Sequence, residues 1–397
     1  MMIRNGKWIL LLIVLAGCKK PYNPPAITST NSYLVVEGVI NSGSDSTFIK
    51  LSRTVNLSSK VSVNPIVNAT VTVEGDQNTT YPLTAANKGT YVSAGLNLDN
   101  AHKYRLRIKT ADNREYLSDF VPVLNSPPID SIGYTVQNNG INIYSNTHDP
   151  ANNVKYFRFD YTETWLFHPA FESLFKSNGD TVLGRDLIHD NIYQCWLSDT
   201  SSTIVLASSA KLAQDVLLDN PVTNISSASE KLEDRYSIML RQYALTPDAY
   251  TFWQNLKKNT EQLGSIFDAQ PTEITGNIHS LTNPAEPVIG YLSVGAVATK
   301  RVFIDSRALP AWVPSTPYSM CIDTPLFYQH YEGVQKVLVN QIDLFINYNK
   351  PGPHYDVLIP TVAIFVSGIG IVGYRAAEPA CVDCTLRGTN KQPIFWK

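Results

Sequence analysis

The sequence predicts a mainly β protein in two parts. An immunoglobulin-like or transthyretin-like β-sandwich occupies residues 33–125, and a larger β-rich domain with inserted helices follows over 126–397. Three observations predict this. From Tyr33 to Val123 short runs alternate apolar and polar residues with the two-residue period of half-buried strands. Clusters of Asn, Gly, Asp and Ser separate these runs. Beyond "NSPPIDS" the alternation resumes, with one clear switch to helical spacing.

The chain opens on "RNGKWILLLIVLAGCKKPYNPP". Arg4 and Lys7 precede an apolar run from Trp8 to Ala16, and a small residue, Gly17, precedes Cys18. Residues 1–17 therefore read as a secretory signal peptide. The apolar run is well short of the roughly 20 residues a membrane-spanning helix needs. Leu15-Ala16-Gly17-Cys18 resembles the bacterial lipoprotein box, which implies that Cys18 is lipidated and begins the mature chain. Each buried acyl methylene contributes about 0.8 kcal/mol, and the several chains that such lipoproteins carry make a firm anchor. Residues 18–32, rich in Pro and small polar residues, read as a tether. Lys19 and Lys20 stand where, by resemblance to Gram-negative sorting signals, an aspartate would mark retention at the inner membrane. The expected address is the outer membrane, with the leaflet left open.

Each element then follows in order. "YLVVEGVI", "TFIKLSRTV", "ATVTVEG", "TYPLTA", "GTYVSA", "KYRLRIKT" and "REYLSDFVPV" are seven short strands, enough for a sandwich. The succession resembles small modules attached to many exported bacterial proteins, which implies a spacing or presenting role. Pro127 and Pro128 break the pattern and mark the expected boundary. "SIGYTV", "INIYSNT", "KYFRFDYTETWLF", "SIMLRQYAL" and "PVIGYLSVGAVATKRVFI" are strands of the second part. Between them, Thr246 is a good N-cap, Pro247 a good first helical residue, Tyr250, Trp253 and Leu256 recur at helical spacing, and Gly264 is the expected stop.

Composition narrows the function. Hydrophobic residues make up 44% and charged residues 17%, so there is ample material for a large core and little for a charged surface. A formal net charge of -2 lacks the basic footprint that phosphate neutralisation demands, which excludes nucleic acid as a main partner. With Cys18 assigned to lipid, Cys195, Cys321, Cys381 and Cys384 remain. An even number in an oxidising compartment argues for two disulfides, with three connectivities open. Cys381-Val382-Asp383-Cys384 also has redox or half-zinc spacing, but a four-cysteine zinc site usually shows two such pairs.

Other constellations are weaker. Gly368, Gly370 and Gly373 match the letters of a dinucleotide fingerprint, yet proline and cysteines follow where a helix should. Asp160 and Glu163 sit an odd number of residues apart on a strand, which sends them to opposite faces and away from a glycosidase pair. Tyr161, Glu163 and Trp165 share one face, read as packed against the helix that carries Trp253. His148 and His189 each precede an aspartate, a pattern compatible with a divalent ion and more common in solvated loops. No Gly-x-Ser-x-Gly elbow and no HExxH occurs, so no cofactor, metal or catalytic residue is expected.

The segments "NTHDPANNVKYFRFDYTETW", "YQCWLSDTSSTIVLASSAKLAQDV", the run from "YSIMLRQYAL" to "ATKRVFI" and the ending "CVDCTLRGTNKQPIFWK" resemble a family of Gram-negative outer-membrane lipoproteins known as domain of unknown function 4249. Members are typically encoded beside TonB-dependent outer-membrane receptors. The resemblance implies such a receptor as partner and supplies no catalytic residues. The expected function is a non-enzymatic accessory or substrate-capture role, with a glycan or peptide as candidate ligand. A surface hydrolase that trims the substrate before import is the alternative. Because interfaces favour aromatic anchors, Trp165, Trp196, Trp312 and Trp396 are the candidate contacts in the second domain.

Overall fold

The computed structural model describes residues 32–55, 63–261, 274–332, 337–347 and 357–396. The expected signal peptide, Cys18, the expected tether up to residue 31 and the expected helix stop at Gly264 lie outside the described residues. The protein is mainly β, with six sheets among the described residues.

The first sheet has twelve strands and is nearly closed on itself. One half runs from Glu115–Ser118 through Lys103–Lys109 and Thr70–Gly75. The other runs from Thr90–Ser93 through Thr47–Arg53 to Leu34–Ile40, and Thr80–Ala85 bridges the halves. Alternation sends Val36, Ile49, Leu51, Val73, Leu106, Ile108 and Tyr116 inward to a single core. The sheet also takes in strands from well beyond residue 125. Ile278–Ser280 pairs antiparallel with Glu115–Ser118, while Val288–Ile289 and Ser293–Val294 pair parallel with Leu34–Ile40. Between these two ends the buried side chain of Asn277 imitates a ladder pair. It donates to the Leu292 carbonyl at 3.0 Å and accepts from the Leu292 N–H at 2.8 Å. The ends can approach because two glycines face each other, and a Cβ at Gly276 would lie 1.8 Å from the Gly290 carbonyl oxygen.

The second body packs a five-stranded sheet on a three-stranded one. The larger sheet runs Cys195–Thr200, Tyr156–Phe167, Arg235–Leu245, Ala298–Asp305, with Val205–Ser208 also on the Tyr156 strand. The smaller is Ile129–Gln137, Gly140–His148 and Val216–Ser226. Phe157, Phe159, Tyr161, Ile238 and Leu240 from one sheet meet Ile141, Ile143, Leu217 and Ile225 from the other. Gln242, fully buried, points its amide nitrogen at the Pro127 carbonyl (2.8 Å) and at the Ser126 and Thr147 hydroxyls. The diproline segment is thereby fastened to the sheet.

A small lobe forms around Leu326, Ile342, Ile346, Tyr374 and Ala376, under the sheet of Thr324–Phe327, Gly370–Ala377 and Ile359–Val366. Two disulfides hold the C-terminal region: Cys195 to Cys384 and Cys321 to Cys381. Each member of the closely spaced pair is bonded to a distant cysteine. The tail beyond Cys384 lies on the larger sheet, with Thr389 and Trp196 exchanging backbone hydrogen bonds of 2.8 and 3.0 Å.

Candidate functional site

Strand alternation and cross-strand register build the site. On the Tyr156 strand, Phe157 and Phe159 go to the core, so Arg158 and Asp160 go to the other face. On the Arg235 strand, Leu240, Gln242 and Ala244 go inward, leaving Arg241 and Tyr243 outward. The register sets Arg158 directly opposite Tyr243 and Asp160 opposite Arg241, and places Thr299 beside Arg241. Asp160 accepts a close hydrogen bond from Arg241 Nε and lies 3.6 Å from Arg158. Arg241 also donates to the Thr162 hydroxyl at 2.9 Å.

The helix Pro247–Glu261 covers one side of this floor. The Thr246 hydroxyl accepts from the Ala249 N–H at 3.2 Å, the N-cap its sequence position requires. Ala249 and Phe252 anchor the helix, and Trp253 projects over Arg158. The Arg158 guanidinium lies 4.1 Å from the Tyr243 ring centroid and 4.4 Å from that of Trp253, in cation–π contact with both rings. Burial, followed by the Asp160 charge, pushes the Tyr243 hydroxyl up to about 12, so it stays a neutral phenol. The facing wall is the outer surface of the first sheet: Val35, Glu37, Val39 and the exposed Phe48, with Asp45 from the connecting turn. Tyr291 and Val297 close one end. The cleft measures about 630 Å³.

A second cavity of about 730 Å³ lies under the other end of the helix. Its two charged helix residues are spent on the neighbouring backbone, since Lys257 donates to the Ile204 carbonyl and Glu261 accepts from the Ile204 N–H, both at 2.6 Å. The first cleft, where aromatic faces and guanidinium groups converge, is therefore the candidate site.

Most residues singled out in the sequence lie elsewhere. Trp165 is buried in the main core. Trp196 and Trp396 are buried together, ring centroids 6.2 Å apart, in a cluster with Leu166 and Phe303. These three cannot serve as surface anchors, because the C-terminal tail and the facing sheet already cover them. Trp312 packs against the core only in part and borders a cavity of about 310 Å³. Asp160 and Glu163 do lie on opposite faces. Glu163 is inside the sandwich, accepting from the Tyr236 hydroxyl at 2.6 Å and from Lys231 Nζ at 2.5 Å. The helix carrying Trp253 packs on the Tyr156 and Arg158 face, not on the Tyr161 and Trp165 face expected for it.

The histidine pairs are local. His148 meets Asp130 at 2.7 Å while Asp149 caps the N–H groups of Ala151, Asn153 and Val154, and His189 meets Asp186 at 2.8 Å. Among the described residues no group of His, Cys, Asp or Glu is arranged to hold a metal ion. Gly368 and Gly370 form the turn of a hairpin, both with positive φ, and a strand follows where a dinucleotide fold would need a helix. The cleft residues Arg158, Arg241 and Tyr243 escaped the sequence reading. Their trace was there, as charged residues two apart in "FRFDY" and a charge and an aromatic two apart in "LRQYAL".

Fold and site together define a disulfide-stapled, mainly β protein with an aromatic-walled, arginine-floored cleft. The chain belongs to the family described as Domain of unknown function (DUF4249), which matches residues 19–301, more than half of its length. The match ends within the strand Ala298–Asp305, short of the small lobe. No curated protein matches the chain. Among solved structures, the chain is similar to the Yersinia pseudotuberculosis adhesin InvE, at 12% identity with a TM-score of 0.15. The likeness covers 54% of this chain and 55% of that one, so the chain spans about half the length of the adhesin structure; a score this low carries no argument.

Proposed function

We propose that this protein is an outer-membrane lipoprotein, anchored through Cys18, that serves a TonB-dependent transporter as a non-enzymatic accessory and captures substrate in the cleft. The observation that supports this most is the cleft's chemistry. Phe48, Tyr243, Phe252, Trp253 and Tyr291 contribute aromatic surface, and the floor carboxylate, Asp160, is engaged by two guanidinium groups. Binding sites need a mostly apolar concavity with a few convergent polar groups, and the cleft has both. Glu37 and Asp45 are exposed at the rim.

The region 126–397 makes the receptor contact and the first sheet acts as spacer. This region bears an apolar hairpin with Phe365, Ile369 and Ile371 exposed, and "IPTVAIFVSGIGIVGY" contains no charged residue. An exposed apolar projection of this kind is common at protein contacts.

Affinity purification of the native protein from mild detergent tests the reading. The expected result is a co-purifying TonB-dependent receptor, lost when Phe365 and Ile369 are replaced by serine. Hydrolysis of a glycan or peptide by the purified protein would overturn the non-enzymatic role, and a Cys18→Ala protein that is exported yet still sediments with the outer membrane after a high-salt wash would overturn the anchor.

A further inference from the structure

We infer that the cleft takes a ligand bearing a carboxylate on a body with a flat or apolar face, with Arg158 as the carboxylate receptor. The inference rests on the cleft being the capture site. Two aromatic rings, Tyr243 and Trp253, lie against the Arg158 guanidinium and restrict its orientation. At 3.6 Å its contact with Asp160 is an ion pair and falls outside hydrogen-bond reach. Among the described residues no acceptor lies within hydrogen-bond distance of its N–H groups. The side chain is 17% exposed and lines the cleft. A planar fork with its orientation restricted and its donors free matches the two oxygens of a carboxylate.

The charges around it are divided between floor and rim. The floor carries Arg158 and Arg241 against Asp160, while Glu37 and Asp45 on the facing wall bring the whole lining to one negative charge in excess. On the facing wall Glu37 is drawn toward Lys50 at 3.4 Å, and Asp45 projects from the exposed turn. Within the cleft the positive groups lie on the floor, so an anionic group is placed there and not at the rim. Trp253, Phe48 and Leu256 supply the surface for the rest of the ligand. Two sources present this chemistry, an acidic sugar or the carboxyl terminus of a peptide.

Isothermal titration of the full chain, in mild detergent, with matched probe pairs tests the inference. The pairs are 4-phenylbutyrate against 4-phenylbutyramide, a triuronate against its neutral trisaccharide, and a hexapeptide acid against the same peptide amide. Phenylbutyrate is expected to bind at least tenfold more tightly than its amide, a difference that Arg158→Gln abolishes and Arg158→Lys retains in part. Phe48→Ala, at a site 57% exposed and therefore safe for folding, is expected to weaken acid and amide alike. A tenfold preference in the sugar pair assigns an acidic glycan, and the same preference in the peptide pair assigns a peptide terminus. Equal binding of phenylbutyrate and its amide, no binding of either at tens of millimolar, or an unchanged preference in Arg158→Gln overturns the inference. Receptor co-purification is a separate readout, so its persistence alongside failed titrations would remove the ligand class and leave the accessory role standing.

Discussion

Removing the Cys195–Cys384 bridge is expected to destabilise the protein more than removing Cys321–Cys381. The two bridges are nested: the outer spans 189 residues and the inner, spanning 60, lies inside it. With the inner bridge closed, the outer loop shortens to roughly 130 positions, from 195 to 321 and from 381 to 384. Chain-entropy arithmetic then assigns about 5 kcal/mol to the outer bridge and about 4 kcal/mol to the inner. Loop length alone separates them by less than about 1 kcal/mol, and packing widens the gap. Cys195 and Cys384 are fully buried in the main core, and their bond ties the tail bearing Trp396 to the larger sheet. Cys321 is only half-buried, and the inner bond fastens the small lobe. The paired variants Cys195→Ala/Cys384→Ala and Cys321→Ala/Cys381→Ala can be compared by urea unfolding followed through tryptophan fluorescence, with Trp196 and Trp396 beside the outer bridge as reporters. An equal or smaller loss for the outer pair would refute the reasoning.

Three other outcomes are expected. Asn277→Ala orphans the backbone N–H and carbonyl of Leu292, each worth about 1–3 kcal/mol when buried unpaired, so a loss of about 2–4 kcal/mol should appear as a lower urea midpoint. Glu163→Leu leaves the fully buried Tyr236 hydroxyl without its acceptor and Lys231 without its counter-charge. Because Lys231 is 25% exposed it can turn to water, so the loss should be about 2–4 kcal/mol, and Glu163→Gln, which keeps an acceptor for Tyr236, should cost less in the same assay. Burial lowers the His168 imidazole from its ordinary 6.5, so the unfolded chain takes up that proton first. Stability from this group is complete above about pH 6.5 and declines as pH falls below it; the urea midpoint should drop between pH 7.5 and 5.5, by less in His168→Gln.

The strands were legible because alternation is a local signal and a half-buried sheet imposes it residue by residue. Thr47–Arg53, Lys103–Lys109 and the Tyr156–Thr162 part of the Tyr156 strand follow it. Ile278–Ser280, Val288–Ile289 and Ser293–Val294 were not legible as parts of the first sheet. Each is two or three residues long among Gly, Asn and Pro, and their partners lie some 160 to 260 positions away, a distance no periodicity encodes. The helix start was legible through Thr246 and Pro247, but the face it covers was not, because Tyr250 and Trp253 read the same whichever side of the sheet receives them. The tryptophans were ambiguous for a related reason: a large aromatic ring serves a core and an interface equally well, and only burial separates Trp196 from Trp312. Arg158 and Arg241 become a site through the register that sets Asp160 between them.

The cleft has walls from two bodies, so its usefulness depends on how those bodies are joined. The diproline segment suggests a hinge, yet its surroundings resist one. The Leu124 N–H donates to the Val294 carbonyl at 2.9 Å, the Ser126 N–H to the Ala296 carbonyl at 3.0 Å, and the Asn125 side chain accepts from both the Ala296 N–H and the Ser42 hydroxyl. The outgoing and returning connections are zipped together, and Gln242 grips the outgoing one from beneath. The returning segment then continues without a break into Ala298–Asp305, the strand that carries Thr299 beside Arg241. Two connections bonded to each other must break together before the walls can separate, which removes most of the freedom a single linker would leave. A cleft held open in its binding geometry loses little conformational entropy when a ligand arrives, and that is the condition under which one restrained guanidinium and a few aromatic faces suffice for capture.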